Sequence, residues 1–591
     1  MDSPETTAGV REAVGALREA IEHEEARQRA RIDKALPKHL QSAQNLAHYL
    51  ALRRRDIRRL QLELAGLGLS SLGRCEGHVR DTVLRLCGWL AGEGGGAARD
   101  ELDRAKAEAL LHHNTAALLG KRPADRHVYI MVTAPDGADA TASWADSLLE
   151  AGVDVLRING AHEGPREWAA LAQTFKARAA LRGRPGRVFV DLPGPKLRTD
   201  IRLMEETVLH LPRHKDRLGR TVEPTRVLLV PEYQGGAQIA VPAAWLSELE
   251  AGDTLVMDDS AGRERMLTVR ERGAEGVRAD CDRSLYLKSG LALTWRRGDA
   301  VKGRAKSGRM PLRPKTLALS PGDAFLVNAD GKSEDPGMPA LAFEDTGLLA
   351  QVRAGERAVL DDGRIVAVVE ASGPAGLACR VQRAVKSPTR LRSGKGIAFP
   401  DSALSPATLL EHDEAALAFA LENADGVGVS FVTCARDVSR VGERIQKAGK
   451  PGFGMILKLE TRGAIGNLAE ILFEALRYDP VGIMIARGDL AVELSFERLA
   501  EMQEELLWFG EACHLPVVWA TQVLDTVAQS GLPTRAEVTD AAMAMRAECV
   551  MLNRGPYVAV AARMLADIIR KMETHQFKKL SLYRPLALAG S

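Results

Sequence analysis

A chain of 591 residues is too long for one compact core, and a 46% hydrophobic, 27% charged composition is ordinarily globular, so several folded domains are expected. The 80 Lys and Arg against 78 Asp and Glu leave it near neutral, which argues against nucleic acid as a partner. The seven cysteines never fall into a C-x-x-C pair, so neither a zinc site nor a disulfide framework is expected. The N-terminus has acidic residues and no apolar segment, and no run nears the ~18 apolar residues of a membrane span. The expectation is a cytoplasmic protein with reduced thiols and no membrane partner.

In chain order, residues 1–120 read as a helical extension. Ile57, Leu60, Leu64 and Leu67 repeat at helical spacing, as do Val79, Val83, Leu86 and Leu90. The Gly-Leu-Ser stretch 66–71 separates the two patterns, and Gly94, Gly95 and Gly96 open a flexible joint. Arg53, Arg54, Arg55, Arg58 and Arg59 read as a solvated helix face rather than a nucleic-acid contact. From about 121 the rhythm changes to apolar β-rich runs alternating with helical stretches: 128–134, 153–159, 187–192, 426–432, 454–460, 481–486, 517–522 and 548–553. Continuous apolar strands between helices indicate a parallel sheet covered on both faces. Eight of them allow a closed (β/α)8 TIM barrel, built from 121–200 and 396–591, with its chemistry at the strand C-terminal ends. An open doubly wound sheet is the alternative. The insertion 201–395 reads as a β lid domain with an internal repeat: 246–259 resembles 349–362, a shift of 103, and 287–290 recurs at 391–394.

The chemistry concentrates at two strand ends. Glu460 closes one strand and Asp489 follows the next, and two carboxylates with room for substrate oxygens and water suit Mg²⁺. Lys458 adds a compact positive charge beside them, where a phosphoryl group in transit would gain most from it. On residue types alone, a structural salt bridge at the barrel rim is a rival reading.

Lys458-Leu459-Glu460, Ala486-Arg487-Gly488-Asp489-Leu490, Trp519-Ala520-Thr521-Gln522 and Pro533-Thr534-Arg535-Ala536-Glu537 resemble successive signature segments of the pyruvate kinase family. Arg157-Ile158-Asn159 with His162, and the segment 191–199, are similar to its earlier segments in the same order, and Leu360-Asp361-Asp362-Gly363 to a segment of its lid. The resemblance implies transfer of a phosphoryl group from phosphoenolpyruvate to ADP, giving pyruvate and ATP, by a homo-oligomer. Glu460 and Asp489 would hold Mg²⁺ (or Mn²⁺), and Lys458 and Arg157 would neutralise the phosphoryl group. Backbone N–H groups of Arg487, Gly488 and Asp489 would bind the substrate carboxylate, Thr521 would help protonate the enol carbon, and Asn159, His162 and Arg198 would lie on the nucleotide side.

Departures from the family pattern carry their own expectations. Ala161 and Leu192 stand at two positions where the family has hydroxyl ligands for a monovalent cation, and Lys196 stands where it has Glu. A lysine ammonium there could replace the cation, so potassium should not be required. Pro193 replaces a usual Lys, and Asn553-Arg554-Gly555-Pro556 replaces a segment bearing a hydroxyl and a carboxylate. The family's C-terminal regulatory domain, and sugar-phosphate activation through it, are expected to be absent. A non-catalytic binding or regulatory relative, and another barrel enzyme acting on phosphoenolpyruvate or a related oxoacid, stay open as alternatives.

Overall fold

All eight apolar runs become parallel strands: β1 (Tyr129–Thr133), β2 (Val155–Asn159), β3 (Arg187–Asp191), β4 (Gly426–Val429), β5 (Gly454–Leu459), β6 (Val481–Ala486), β7 (Val517–Ala520) and β8 (Cys549–Leu552). In this computed structural model β8 pairs back onto β1, which closes the barrel and excludes the open doubly wound sheet. The structure describes residues 5–581 apart from 94–101, 138–139, 196, 219, 336, 344, 403, 405–408 and 579, so the joint expected at Gly94–Gly96 lies outside the described residues.

Alternation along the strands sets the inner wall. Tyr129, Met131, Val155, Phe189, Ile456, Met484, Val518, Cys549 and Met551 form one buried cluster inside the barrel. The same alternation, carried two residues onward, brings Thr133, Arg157, Asp191 and Lys458 to the inner wall at the strand C-terminal ends. β4 turns glycine inward to make room for its neighbours. A Cβ on Gly426 would lie 2.4 Å from the Phe189 ring, and one on Gly428 would lie 2.1 Å from Asp191 Oδ1.

The N-terminal helices are α1 (Glu5–Ile32), α2 (Leu40–Arg53), α3 (Arg58–Gly66), α4 (Val79–Ala91) and α5 (Arg104–Leu119). Val14, Leu17, Tyr49, Leu64, Val83 and Leu86 bury one another and Ala512 of a barrel helix. Buried Asn45 fastens the contact: its Nδ2 donates to the carbonyls of Glu76 (2.7 Å) and Ala512 (2.8 Å), and its Oδ1 accepts from Val79 N (3.0 Å). Leu118 and Leu119 of α5 enter the barrel's inner cluster from the strand N-terminal end, where Gly454 and Gly482 leave space: a Cβ on either would come within 2.6 Å of Leu118. The arginine cluster is largely engaged within the chain. Arg53 lies 4.6 Å above the Trp508 ring, while Arg54, Arg58 and Arg59 pair with Glu24, Asp56 and Glu63.

The chain divides into two compact units, residues 1–197 with 351–363 and 396–591, and residues 198–350 with 364–395. The second unit holds an antiparallel sheet built around the strand Thr254–Asp258 and the hairpin Glu264–Gly273/Gly276–Cys281. One order of elements occurs twice along the sequence. The parallel pair Thr225–Val230 and Gln238–Ala240, the helix Ala243–Glu248, that strand and that hairpin are followed by Ala324–Asn328 parallel to Ala340–Ala342, the helix Thr346–Leu349, the strand Arg357–Leu360 and the hairpin Ile365–Gly373/Gly376–Ala384. Among the described residues no helix is long and apolar enough to cross a membrane.

Candidate active site

The ends of β2, β3 and β5 bring four charges into one buried cluster. Arg157 grips Asp191 Oδ2 through Nε (2.9 Å) and Nη2 (2.8 Å), while its Nη1 donates to Thr133 Oγ1 (3.1 Å). Lys458 Nζ lies 3.3 Å from Asp191 Oδ2 and 3.5 Å from Glu460 Oε2, and donates to Ser430 Oγ at 2.8 Å. The Ser430 hydroxyl in turn donates to the Leu192 carbonyl at 2.7 Å.

Burial works against charge on Lys458, but Glu460 and Asp191 outweigh it and hold the ammonium pKa above its ordinary value. Burial likewise opposes ionisation of Asp191, and Arg157 and Lys458 overcome it to keep that carboxylate below the usual range. Glu460 goes the other way. Burial, reinforced by the nearby charge of Asp489 and only partly offset by Lys458, pushes its pKa up to about 7. One of its oxygens, Oε1, accepts from Phe431 N at 2.7 Å, while buried Oε2 has no hydrogen-bond partner among the described residues and lies 3.5 Å from Lys458 Nζ.

An orphaned carboxylate oxygen in a raised-pKa site is what a cation would satisfy, so the residues fit a divalent metal. Glu460 and Asp489 line one cavity of about 500 Å³ with Asp362, Asp401 and Glu493. Among the described residues no three His, Cys, Asp or Glu side chains converge as a ready-made cage, so an ion on the Glu460–Asp489 pair would take its other ligands from substrate or water.

Arg157, Asn159 and His162 line a second cavity, of about 310 Å³, together with Asp136, Asn553 and Arg554. Asn159 shapes its own turn there, its Oδ1 accepting from Ala161 N at 3.3 Å and its carbonyl from His162 N at 3.2 Å. Arg198 begins the second compact unit and donates to the Gly394 carbonyl at 2.9 Å. Lys196 lies outside the described residues.

Arg487, Gly488 and Asp489 open the helix Arg487–Leu494 directly after β6. Thr521 follows β7 with φ +75°, and Gln522 and Leu524 also have positive φ, +58° and +47°. Such backbone costs on the order of 1–3 kcal/mol per residue and persists only where the surroundings enforce it. Gly488 leaves room for Thr521 there, since a Cβ on it would lie 2.7 Å from Thr521 Cγ2.

Two participants escape a reading by residue type. Ser430 looks like the polar end of the run 426–432, and its signal is the inward alternation Gly426, Gly428, Ser430. Asp191 is the hub of the cluster, legible only once Arg157 and Lys458 are known to face it.

Comparison with known proteins points to one family. Residues 299–557 match a family model described as pyruvate kinase, barrel domain. The chain is similar to the pyruvate kinase of Borreliella burgdorferi, 31% identical over 245 residues, which cover 40% of this chain and 49% of that one. It is 36% identical over 227 residues to the pyruvate kinase of Mycobacterium tuberculosis, covering 37% of this chain and 46% of that one. With the pyruvate kinase of Dictyostelium discoideum the identity is 30% over 306 residues, 48% of this chain and 58% of that one. The chain thus spans about half the length of the curated relatives it matches.

Proposed function

Because this chain belongs to the pyruvate kinase family through its barrel, we propose that it is a magnesium-dependent phosphotransferase converting phosphoenolpyruvate and ADP to pyruvate and ATP, without a requirement for potassium. The observation that carries the reading is the orphaned Glu460 Oε2, buried beside Lys458 at the C-terminal mouth of the barrel. A divalent ion held by Glu460 and Asp489 would supply positive charge where substrate oxygens converge.

The protein's own groups do the rest. Lys458, fixed by Asp191 and Ser430, stands where it can neutralise charge as the phosphoryl group leaves the enol oxygen for ADP. Arg157 adds a second fixed cation, already aligned by Asp191 and Thr133. The backbone N–H groups at the start of the helix Arg487–Leu494 suit the substrate carboxylate. Thr521, beside Gly488, is the group nearest in role to proton delivery at C3 of the enolate. Asn159 and His162 supply the nucleotide side from the smaller cavity, and Arg198 the lid. Lys196 takes the place of the monovalent cation.

One observation favours a second reading. In the smaller cavity Arg554 pairs with Asp136, within the segment Asn553–Pro556 that replaces one bearing a hydroxyl and a carboxylate in the family pattern. A barrel enzyme acting on phosphoenolpyruvate or a related oxoacid without a nucleotide would tolerate that exchange.

The metal assignment is tested by titrating Mn²⁺ into the protein and following free Mn²⁺ by electron paramagnetic resonance. Glu460→Gln and Asp489→Asn should each weaken binding by at least tenfold and lower turnover by orders of magnitude, with circular dichroism unchanged. Wild-type Mn²⁺ affinity in either variant would remove that residue from the metal site.

A further inference from the structure

Arg487 opens the helix that carries Asp489, yet its side chain turns away from the metal pair and toward the end of β7. Nε donates to the Ala520 carbonyl at 2.9 Å and Nη2 to the Thr521 carbonyl at 2.6 Å. The guanidinium lies 4.7 Å over the ring of fully buried Trp519. Its outer edge is gripped by both carboxylate oxygens of Asp540, from the helix Arg535–Ala544, with Nη2 to Oδ2 at 2.8 Å. Every nitrogen of the fork is used, and two of its bonds fall on the carbonyls on either side of the point where the chain enters positive φ.

From these contacts we infer that Asp540, acting through Arg487, is a positioning residue that holds Thr521 in its strained conformation. The inference rests on the proposed role of Thr521. A β-branched residue at φ +75° is an outlier that does not hold itself. Gly488 leaves room on one side of Thr521, and the Arg487 fork fixes its carbonyl on the other. Asp540 sets the plane of that fork, because a two-pronged carboxylate–guanidinium pair has one good geometry. Without it the fork can rotate, its bonds to Ala520 and Thr521 lengthen, and the backbone relaxes toward ordinary φ. The consequence is specific. Phosphoryl transfer uses Lys458 and the metal pair, whereas delivery of a proton to C3 of the enolate needs Thr521 in place.

The test compares wild type with Asp540→Asn and Asp540→Glu in the full chain. Amide hydrogen exchange of the segment 519–525 should be at least tenfold faster in Asp540→Asn and return toward wild type in Asp540→Glu, with β1–β5 unchanged. Turnover of phosphoenolpyruvate should fall about tenfold or more while its KM changes less than twofold. With phosphoenolpyruvate stereospecifically deuterated at C3 and turned over in tritiated water, wild type should give a chiral methyl group in pyruvate. Asp540→Asn should give a largely racemic one, because the enol escapes and is protonated in solution. Unchanged exchange in 519–525 together with wild-type turnover and chirality would overturn the inference. If Asp540→Asn does not fold, Asp540→Ser, which also removes the two-pronged pair, carries the test: faster exchange confined to 519–525 would support the clamp, and wild-type behaviour in all three readouts would overturn it. A wild-type protein that forms no pyruvate would instead sink the functional reading, and the exchange measurement would still decide the clamp.

Discussion

At the scale of single residues, the proposed independence of potassium rests on the oxygens found near the family's cation position. Ala161 and Leu192 bring no side-chain oxygen, the Leu192 carbonyl accepts from Ser430 at 2.7 Å, and Asn159 Oδ1 accepts from Ala161 N at 3.3 Å. Asp191 is neutralised by Arg157 and Lys458, two charges that cannot diffuse away. The expected outcome is full activity in buffer free of sodium and potassium, with no more than about twofold change on adding potassium chloride against a tetramethylammonium control. Many-fold activation specific to potassium would contradict it, and Lys196→Glu should weaken activity without potassium restoring it. The exchanges at Ala161 and Leu192 were legible in the sequence, conspicuous once the flanking motifs set the frame. Ser430 was not, since its effect runs through a backbone carbonyl that carries no sequence signal.

At the scale of elements, the eight barrel strands announced themselves because strands buried on both faces must be apolar throughout. Their ends were less visible: the run 517–522 stops being strand at Ala520, where Arg487 captures the backbone. The segments matched at a shift of 103 lie in two successive stretches, each with a parallel pair ahead of its helix. Within the first copy, buried Asp253 accepts from Trp295 Nε1 at 3.0 Å and from Arg297 Nε at 2.8 Å. Arg297 draws its pKa down to about 2 against the opposing effect of burial. A carboxylate lowered in the folded state stabilises it fully above the unfolded pKa of about 3.9, and that contribution is lost as pH falls through the folded value. Asp253→Asn should therefore cost the second compact unit about 3 kcal/mol at neutral pH. The gap to wild type in urea unfolding should shrink between about pH 4 and pH 2. A gap that stays constant over that window would assign the loss to packing rather than to charge.

At the scale of the whole molecule, the N-terminal helices were recognisable as helices but silent about purpose. Leu118 and Leu119 look like ordinary helix residues, and Gly454 and Gly482 like permissive strand starts, until the one pair is seen seated against the other inside the barrel. Complementarity between segments more than 300 residues apart leaves no local pattern to read. The charged end of the barrel was more legible: Lys458, Glu460 and Asp489 stood out as candidates by their charge at neighbouring strand ends, and the family resemblance gave them roles. Together these groups are proposed to transfer a phosphoryl group to a nucleotide. The direct measurement is pyruvate formation by the full-length chain from phosphoenolpyruvate and MgCl₂, with and without ADP, coupled to lactate dehydrogenase and with ATP quantified in parallel. NADH oxidation is expected only when ADP is present, with one ATP formed per pyruvate; pyruvate formed equally without ADP, or none in either mixture, would contradict phosphoryl transfer to a nucleotide.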